Sequence, residues 1–131
     1  MAVKAIILDL DGTLLNKSNG LPQPGVLQMI DDLQAAELKL AIASNRPGAA
    51  TKISAAGLPA DLVLTPGLVG AKKGSPLWVW KACDTFSIDP NEILYLGDDE
   101  LDMRSASHAR IIYFNAGWSN PDYPYGIPVT E

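Results

Sequence analysis

Asp9-Leu10-Asp11-Gly12-Thr13 follows directly on an apolar run at residues 3–8 and sets two carboxylates two positions apart. In a pleated strand, side chains two apart share a face, so the spacing predicts that Asp9 and Asp11 converge on one reacting centre at the strand's carboxyl end. Two ionised carboxylates about 4 Å apart repel by roughly 4 kcal/mol at an effective dielectric near 20. A divalent cation or a shared proton would offset that repulsion. Taken alone, Asp11-Gly12 is also a turn signal that closes a strand; the rest of the chain separates the two readings.

Beyond this junction, short β-rich apolar runs alternate with longer helical patterns, the sequence form of a parallel sheet with helices on its faces. Five strands are predicted, at residues 3–8, 38–43, 61–64, 93–96 and 110–114. Each is nearly continuously apolar, as strands covered on both faces are. A first helix is predicted over 24–37, where Val26, Leu27, Ile30 and Leu33 recur at helical spacing and Pro24 suits the first turn. A second is predicted over 47–56, between Pro47 and Gly57, and a third over 76–86, with Ser75 as its N-cap and Pro76 at its first position. A fourth, over 100–109, follows the acidic run at 98–102. Trp78, Ala82 and Phe86 recur every four residues and predict a core stripe, whereas Trp80 lies off it. The fold expected is α/β: a Rossmann-like, doubly wound three-layer sandwich with a central five-stranded parallel sheet. Residues 1–131 form one domain by length, and 114–131 form an irregular tail with Trp118, Tyr123 and Tyr125. That tail reads either as a loop packed on the domain or as the start of a longer chain.

Composition narrows the function classes. Hydrophobic residues make up 47% and charged residues 19%, which indicates neither disorder nor a fibrous class. A formal net charge of -5 leaves no general basic surface for nucleic-acid phosphates. Cys83 is the single cysteine, so no internal disulfide is available, a reducing compartment fits, and the side chain reads as a small buried hydrophobe. Asp9 and Asp11 interrupt the N-terminal apolar run before a membrane span could be completed, and the protein reads as cytoplasmic, with no membrane partner.

Ligands of open α/β sheets bind beyond the carboxyl ends of the strands. There the chain carries Asp9 and Asp11 after the first strand, Ser44-Asn45-Arg46 after the second, and Gly97-Asp98-Asp99-Glu100-Leu101-Asp102 after the fourth; Lys72-Lys73-Gly74-Ser75-Pro76 leads into the third helix. In this order the residues resemble the four motifs of the haloacid dehalogenase superfamily of phosphohydrolases: Asp9 to Leu14, Ser44, Lys73, and Gly97-Asp98 with Asp102.

The resemblance implies phosphoryl transfer through an aspartyl-phosphate, with Asp9 as nucleophile and Asp11 as general acid and then base. For that role Asp11 must start protonated, and a cluster of carboxylates raises a neighbour's pKa. Mg²⁺ would be held by Asp9, the backbone carbonyl of Asp11, and Asp98, with Asp102 or Asp99 orienting its water. Ser44 would donate to the phosphoryl group beside the following helix's N–H groups, with Asn45 as a further substrate contact, and Lys73 would neutralise charge. By the family's pattern, in which the lysine often stands three residues before the proline that opens the helix, here Pro76, the resemblance favours Lys73, with Lys72 as the alternative. Ser44 could also be only an N-cap, and the acidic run only a solvated helix start. Arg46 reads as a solvated helix-start charge, with a substrate contact as the alternative, and His108, near the end of the fourth helix, carries no catalytic role in this reading.

No cap domain fits between the motifs. A phosphorylated substrate, small or macromolecular, would need a wall from elsewhere: the flap at 16–22, a second subunit of a homo-oligomer, or the aromatic tail. Two other functions compete with hydrolysis. One is a receiver-type phospho-acceptor module, whose acceptor aspartate should follow a middle strand; no Asp follows residues 38–43. The other is a catalytically weak interaction domain on the same fold.

Overall fold

The computed structural model describes residues 2–116. Five parallel strands, β1 (Ala5–Asp9), β2 (Lys39–Ala43), β3 (Leu62–Leu64), β4 (Ile93–Gly97) and β5 (Ile112–Asn115), form one sheet in the order β3-β2-β1-β4-β5. Alternate residues of the central strands enter opposite cores, which is why these runs are apolar throughout. Ile6, Leu8, Leu40 and Ile42 pack on Val26 and Ile30 of α1 (Val26–Ala35) and on Ala49 and Ile53 of α2 (Ala49–Ala55). Ala5, Ile7, Ala41 and Ala43 face the other way, where α4 (Leu77–Phe86) supplies Trp78, Val79, Ala82 and Cys83, and α5 (Glu100–His108) supplies Ala106. The result is the three-layer, doubly wound sandwich expected. Between β1 and β3 the chain holds a flap and two helices, and between β3 and β4 a short helix and α4, so no cap domain is inserted among the described residues.

Several boundaries differ from expectation. The first two helices begin at Val26 and Ala49, two residues after the prolines, because Gly25 (φ 83) and Gly48 (φ 73) adopt left-handed conformations that interrupt the helical path. Ser44 therefore does not cap α2. The first helix also ends early: Glu37 (φ 63) takes the left-handed terminating position that glycine usually fills, and Leu38 N–H reaches Leu33 O at 3.1 Å. α4 starts one residue later than predicted, with Pro76 rather than Ser75 at its N-cap; Ser75 Oγ accepts from Leu77 N at 3.1 Å just ahead of it. A short helix, α3 (Pro66–Val69), was not anticipated; Thr65 caps it by accepting from Leu68 N at 3.2 Å. Asn115 belongs to β5, so the strand continues into residues assigned to the tail, whose remainder from 117 lies outside the described residues. Trp78 and Ala82 are buried and Phe86 half-buried, while Trp80 is 47% exposed on the opposite side of α4.

Winding reverses between β1 and β4, the crevice where open α/β sheets take ligands. Asp9 ends β1 and Asp98 follows β4, so this topology brings the first and fourth acidic stations side by side.

Candidate active site

Asp9 is the last residue of β1 and is 4% exposed. The chain turns immediately afterwards: Leu10 is fully buried, Asp11 forms an isolated bridge to Leu15, and Gly12 adopts φ 90. The two-residue strand period thus stops before Asp11. Both aspartates still line one cleft of about 150 Å³, but they meet different partners. Asp9 Oδ2 accepts from the Thr13 hydroxyl at 3.1 Å and Oδ1 pairs with the Lys73 ammonium. Asp11 turns its carboxylate to Arg46, 3.2 Å away, so the carboxylate cluster expected around Asp11 surrounds Asp9 instead.

That cluster consists of Asp9, Asp98 and Asp102, whose oxygens lie within 4.8 Å of one another. Lys73 is buried among them. It pairs with Asp9 and, at 2.9 Å, with Asp102 Oδ1, while Lys72 is exposed. Fully ionised, three carboxylates against one buried ammonium carry two surplus negative charges. Burial and the charge of Asp102 push the Asp9 carboxyl well above the usual carboxylate range, with Lys73 pulling it back. Burial lifts Asp102 to about 6, also against the pull of Lys73. Burial alone would lower the Lys73 ammonium, but Asp102 and Asp9 outweigh it and hold it above its ordinary range.

The loop carrying Lys73 is fixed from two sides. Asn45 Oδ1 accepts from Lys73 N at 3.1 Å, and Ser105 Oγ on α5 accepts from Gly74 N at 2.7 Å. The carbonyl oxygen of Asn45, predicted to touch substrate, is thereby engaged in holding the lysine loop. His108 Nδ1 lies 3.0 Å from Gly74 O, a contact to the same loop. Ser44 is buried at the end of β2, and its Oγ accepts from Arg46 N at 3.0 Å, leaving its proton available to the cleft.

The acidic run after β4 divides into two kinds of residue. Asp99 caps α5, its Oδ1 accepting from Asp102 N at 3.0 Å, and Glu100 is exposed in the first turn, as a solvated helix start would be. Asp98 and Asp102 instead point inward and are 4% and 0% exposed. Tyr95 on β4 donates to Asp102 Oδ1 at 2.6 Å. Gly97 makes room for this carboxylate, since an added Cβ would lie 2.6–2.8 Å from the Asp102 side chain.

Within the acidic cluster, Asp98 Oδ1 and Asp102 Oδ2 are buried and meet no hydrogen-bond donor among the described residues. Such atoms are costly to bury unless something positive meets them. One carboxylate oxygen from each of Asp9, Asp98 and Asp102 lies within 4.8 Å of the others, a little wider than the roughly 4.2 Å spanned by opposite ligands around Mg²⁺, and an all-oxygen donor set of three acids suits a hard divalent cation. The residues present therefore fit such an ion.

Besides Ser105 and His108 on the lysine loop, three contacts of the acidic residues were not read from the sequence: Tyr95 under Asp102, Arg46 on Asp11, and Lys17, whose Nζ is 3.2 Å from Asp98 Oδ2. Tyr95 carried a signal, a polar-tipped aromatic in a buried strand. The lysine in the flap carried none.

A family model for haloacid dehalogenase-like hydrolases matches residues 19–116. The chain belongs to this family. The matched segment contains Ser44, Lys73, Asp98 and Asp102 and begins after Asp9 and Asp11. Solved structures agree on the fold. A HAD-superfamily hydrolase of subfamily IA from Geobacter sulfurreducens superposes with a TM-score of 0.75 at 18% identity, over 86% of each chain. The core domain of a provisionally named phosphoglycolate phosphatase from Streptococcus pneumoniae gives 0.74 at 23% identity, over 99% of this chain and 91% of that one. CbbY from Rhodobacter sphaeroides, solved in complex with phosphate, gives 0.76 at 16% identity, over 86% and 85%. Comparison with curated proteins returns no sequence match. Among the described residues, no helix is long and apolar enough to cross a membrane.

Proposed function

We propose that this HAD-family hydrolase is a Mg²⁺-dependent phosphomonoesterase working through an aspartyl-phosphate. The observation that carries the proposal is the desolvated Asp9 carboxylate, held at both oxygens and set among Asp98, Asp102 and Lys73 at the floor of an open cleft. Phosphatase-named structural relatives and the phosphate-bound one agree with it.

In the first step an Asp9 oxygen attacks phosphorus, the bond to the leaving oxygen breaks, and Asp11, as general acid, delivers a proton to that oxygen. In the second, Asp11 takes a proton from water as the water oxygen attacks phosphorus, and Asp9 is released as a carboxylate. Delivery requires Asp11 to leave Arg46, which is then available to the phosphate. Lys73 keeps Asp9 oriented and offsets charge on the phosphoryl oxygens, and Ser44 donates its free proton to one of them. Asp9, Asp98 and the Asp11 backbone carbonyl would hold Mg²⁺, with Asp102 beside it; when bound, the ion neutralises the approaching phosphate. A reducing, cytoplasmic setting fits the single buried Cys83, whose thiol burial pushes up to about 11.

The open cleft admits either a small phosphate ester or a phosphate on a larger molecule. The test is hydrolysis of an aryl phosphate with and without Mg²⁺ by wild type, Asp9→Asn and Asp11→Asn. Metal-dependent turnover lost in both folded variants is the expected result; full activity in Asp9→Asn overturns the proposal. A stable adduct from acetyl phosphate without turnover would favour the receiver-type reading.

A further inference from the structure

The flap at 16–22 is a tight, self-bonded turn. Asn16 Oδ1 accepts from Ser18 N at 2.8 Å and Asn19 N at 3.3 Å, and Asn16 O accepts from Gly20 N at 2.8 Å. Leu15 bridges Pro22, which ties the turn's two ends together. Lys17 projects from it with a side chain 63% exposed, yet its ammonium reaches Asp98 Oδ2, in a side chain only 2% exposed. Its stem crosses Gly12, where an added Cβ would lie 2.6 Å from Lys17 Cε. Lys17 also lines the cleft containing Ser44 and Arg46.

The charge balance gives this contact a meaning. Fully ionised, Asp9, Asp98 and Asp102 exceed Lys73 by two negative charges, and Lys17 supplies one of the two positive charges that balance them. A divalent cation would supply both, at the same Asp98 carboxylate. Ammonium and metal then compete for one oxygen ligand, and the displaced ammonium, on a flexible stem rooted in a rigid turn, lies beside the position of an incoming phosphate.

We infer that Lys17 is a metal-gated substrate-binding residue: without a divalent cation it occupies Asp98, and metal binding transfers its ammonium from Asp98 to the substrate's phosphate. The inference rests on the phosphatase reading for its substrate, but its first measurement does not require turnover. Metal binding should thereby enhance phosphate binding through Lys17, in addition to any direct contact, because one event frees the cation that the other uses.

The experiment is calorimetric titration of wild type and Lys17→Met, first with Mg²⁺ alone and then with inorganic phosphate, with and without saturating Mg²⁺. Lys17→Met should bind Mg²⁺ about threefold to tenfold more tightly, because the competing ammonium is gone. In saturating Mg²⁺ it should bind phosphate more weakly by a similar factor, and without Mg²⁺ the two proteins should bind phosphate alike. Unchanged or weaker Mg²⁺ affinity in Lys17→Met, or absence of Mg²⁺ binding by either protein, overturns the inference even if aryl phosphate is hydrolysed. Tighter Mg²⁺ binding in a protein that hydrolyses no phosphate ester would instead uphold the exchange at Asp98 and remove the phosphatase reading.

Discussion

The Tyr95 hydroxyl donates to Asp102 Oδ1 at 2.6 Å, the same oxygen that receives Lys73 at 2.9 Å, and so leaves Oδ2 as the open atom of a fully buried carboxylate. A strand residue thus orients a helix residue beneath the metal-competent cluster. Tyr95→Phe should lower stability by about 1–2 kcal/mol through the lost buried hydrogen bond. It should also weaken Mg²⁺ binding by roughly tenfold, as loss of a partner that orients a ligand does. Urea denaturation and calorimetry measure the two effects separately.

The Asp102 carboxyl, raised to about 6 in the fold against about 3.9 in an unfolded chain, gives a pH dependence of definite sign. A raised acid binds its proton more tightly when folded, so its contribution to stability is full below about pH 4 and is lost as pH rises through about 6. The stability of wild type minus that of Asp102→Asn should therefore decline between pH 4 and pH 7 in chelator. Saturating Mg²⁺ should flatten the decline. A difference that is level in chelator would show that Asp102 titrates normally.

Gly12 adopts φ 90, and a Cβ there would collide with the Asp98 carboxylate and the Lys17 stem. Gly12→Ala combines backbone strain with displacement of Asp98 and should cost about 2 kcal/mol or more. Chemical denaturation gives the stability, and Mg²⁺ affinity should fall in the fraction that remains folded.

Glu37 offers the opposite opportunity. It holds φ 63 at the end of α1, is exposed, and lies far from the cleft in the fold. Glu37→Gly should raise stability by about 0.5–1 kcal/mol by relieving a left-handed residue, with no change in metal binding. A thermal melt is sufficient to check it.

Much of this architecture was legible along the chain. Strands buried on both faces need continuous apolar runs, so all five were found, within about two residues. Helix starts were less legible, because Pro24 and Pro47 look like first-turn residues while Gly25 and Gly48, one residue on, turn the backbone left-handed. At the site, Asp9, Ser44, Lys73, Asp98 and Asp102 stood out because each follows a strand or opens a helix at the same sheet edge. The roles of Asn45, Arg46 and Lys17 did not, since an exposed polar residue in a loop looks the same whether it meets solvent or a buried partner.

The order of buried strands, amphipathic helices and polar stations was determined by the sequence alone, because side-chain periodicity and turn chemistry act over a few neighbouring residues. Only the tertiary structure decided which lysine is buried, which aspartate loses its water, and which carboxylate Arg46 and Lys17 neutralise. Those outcomes depend on desolvation and on ion pairs between residues as far apart as Asp9 and Lys73, 64 positions along the chain. Such energies follow distance in space, which the order of residues does not record.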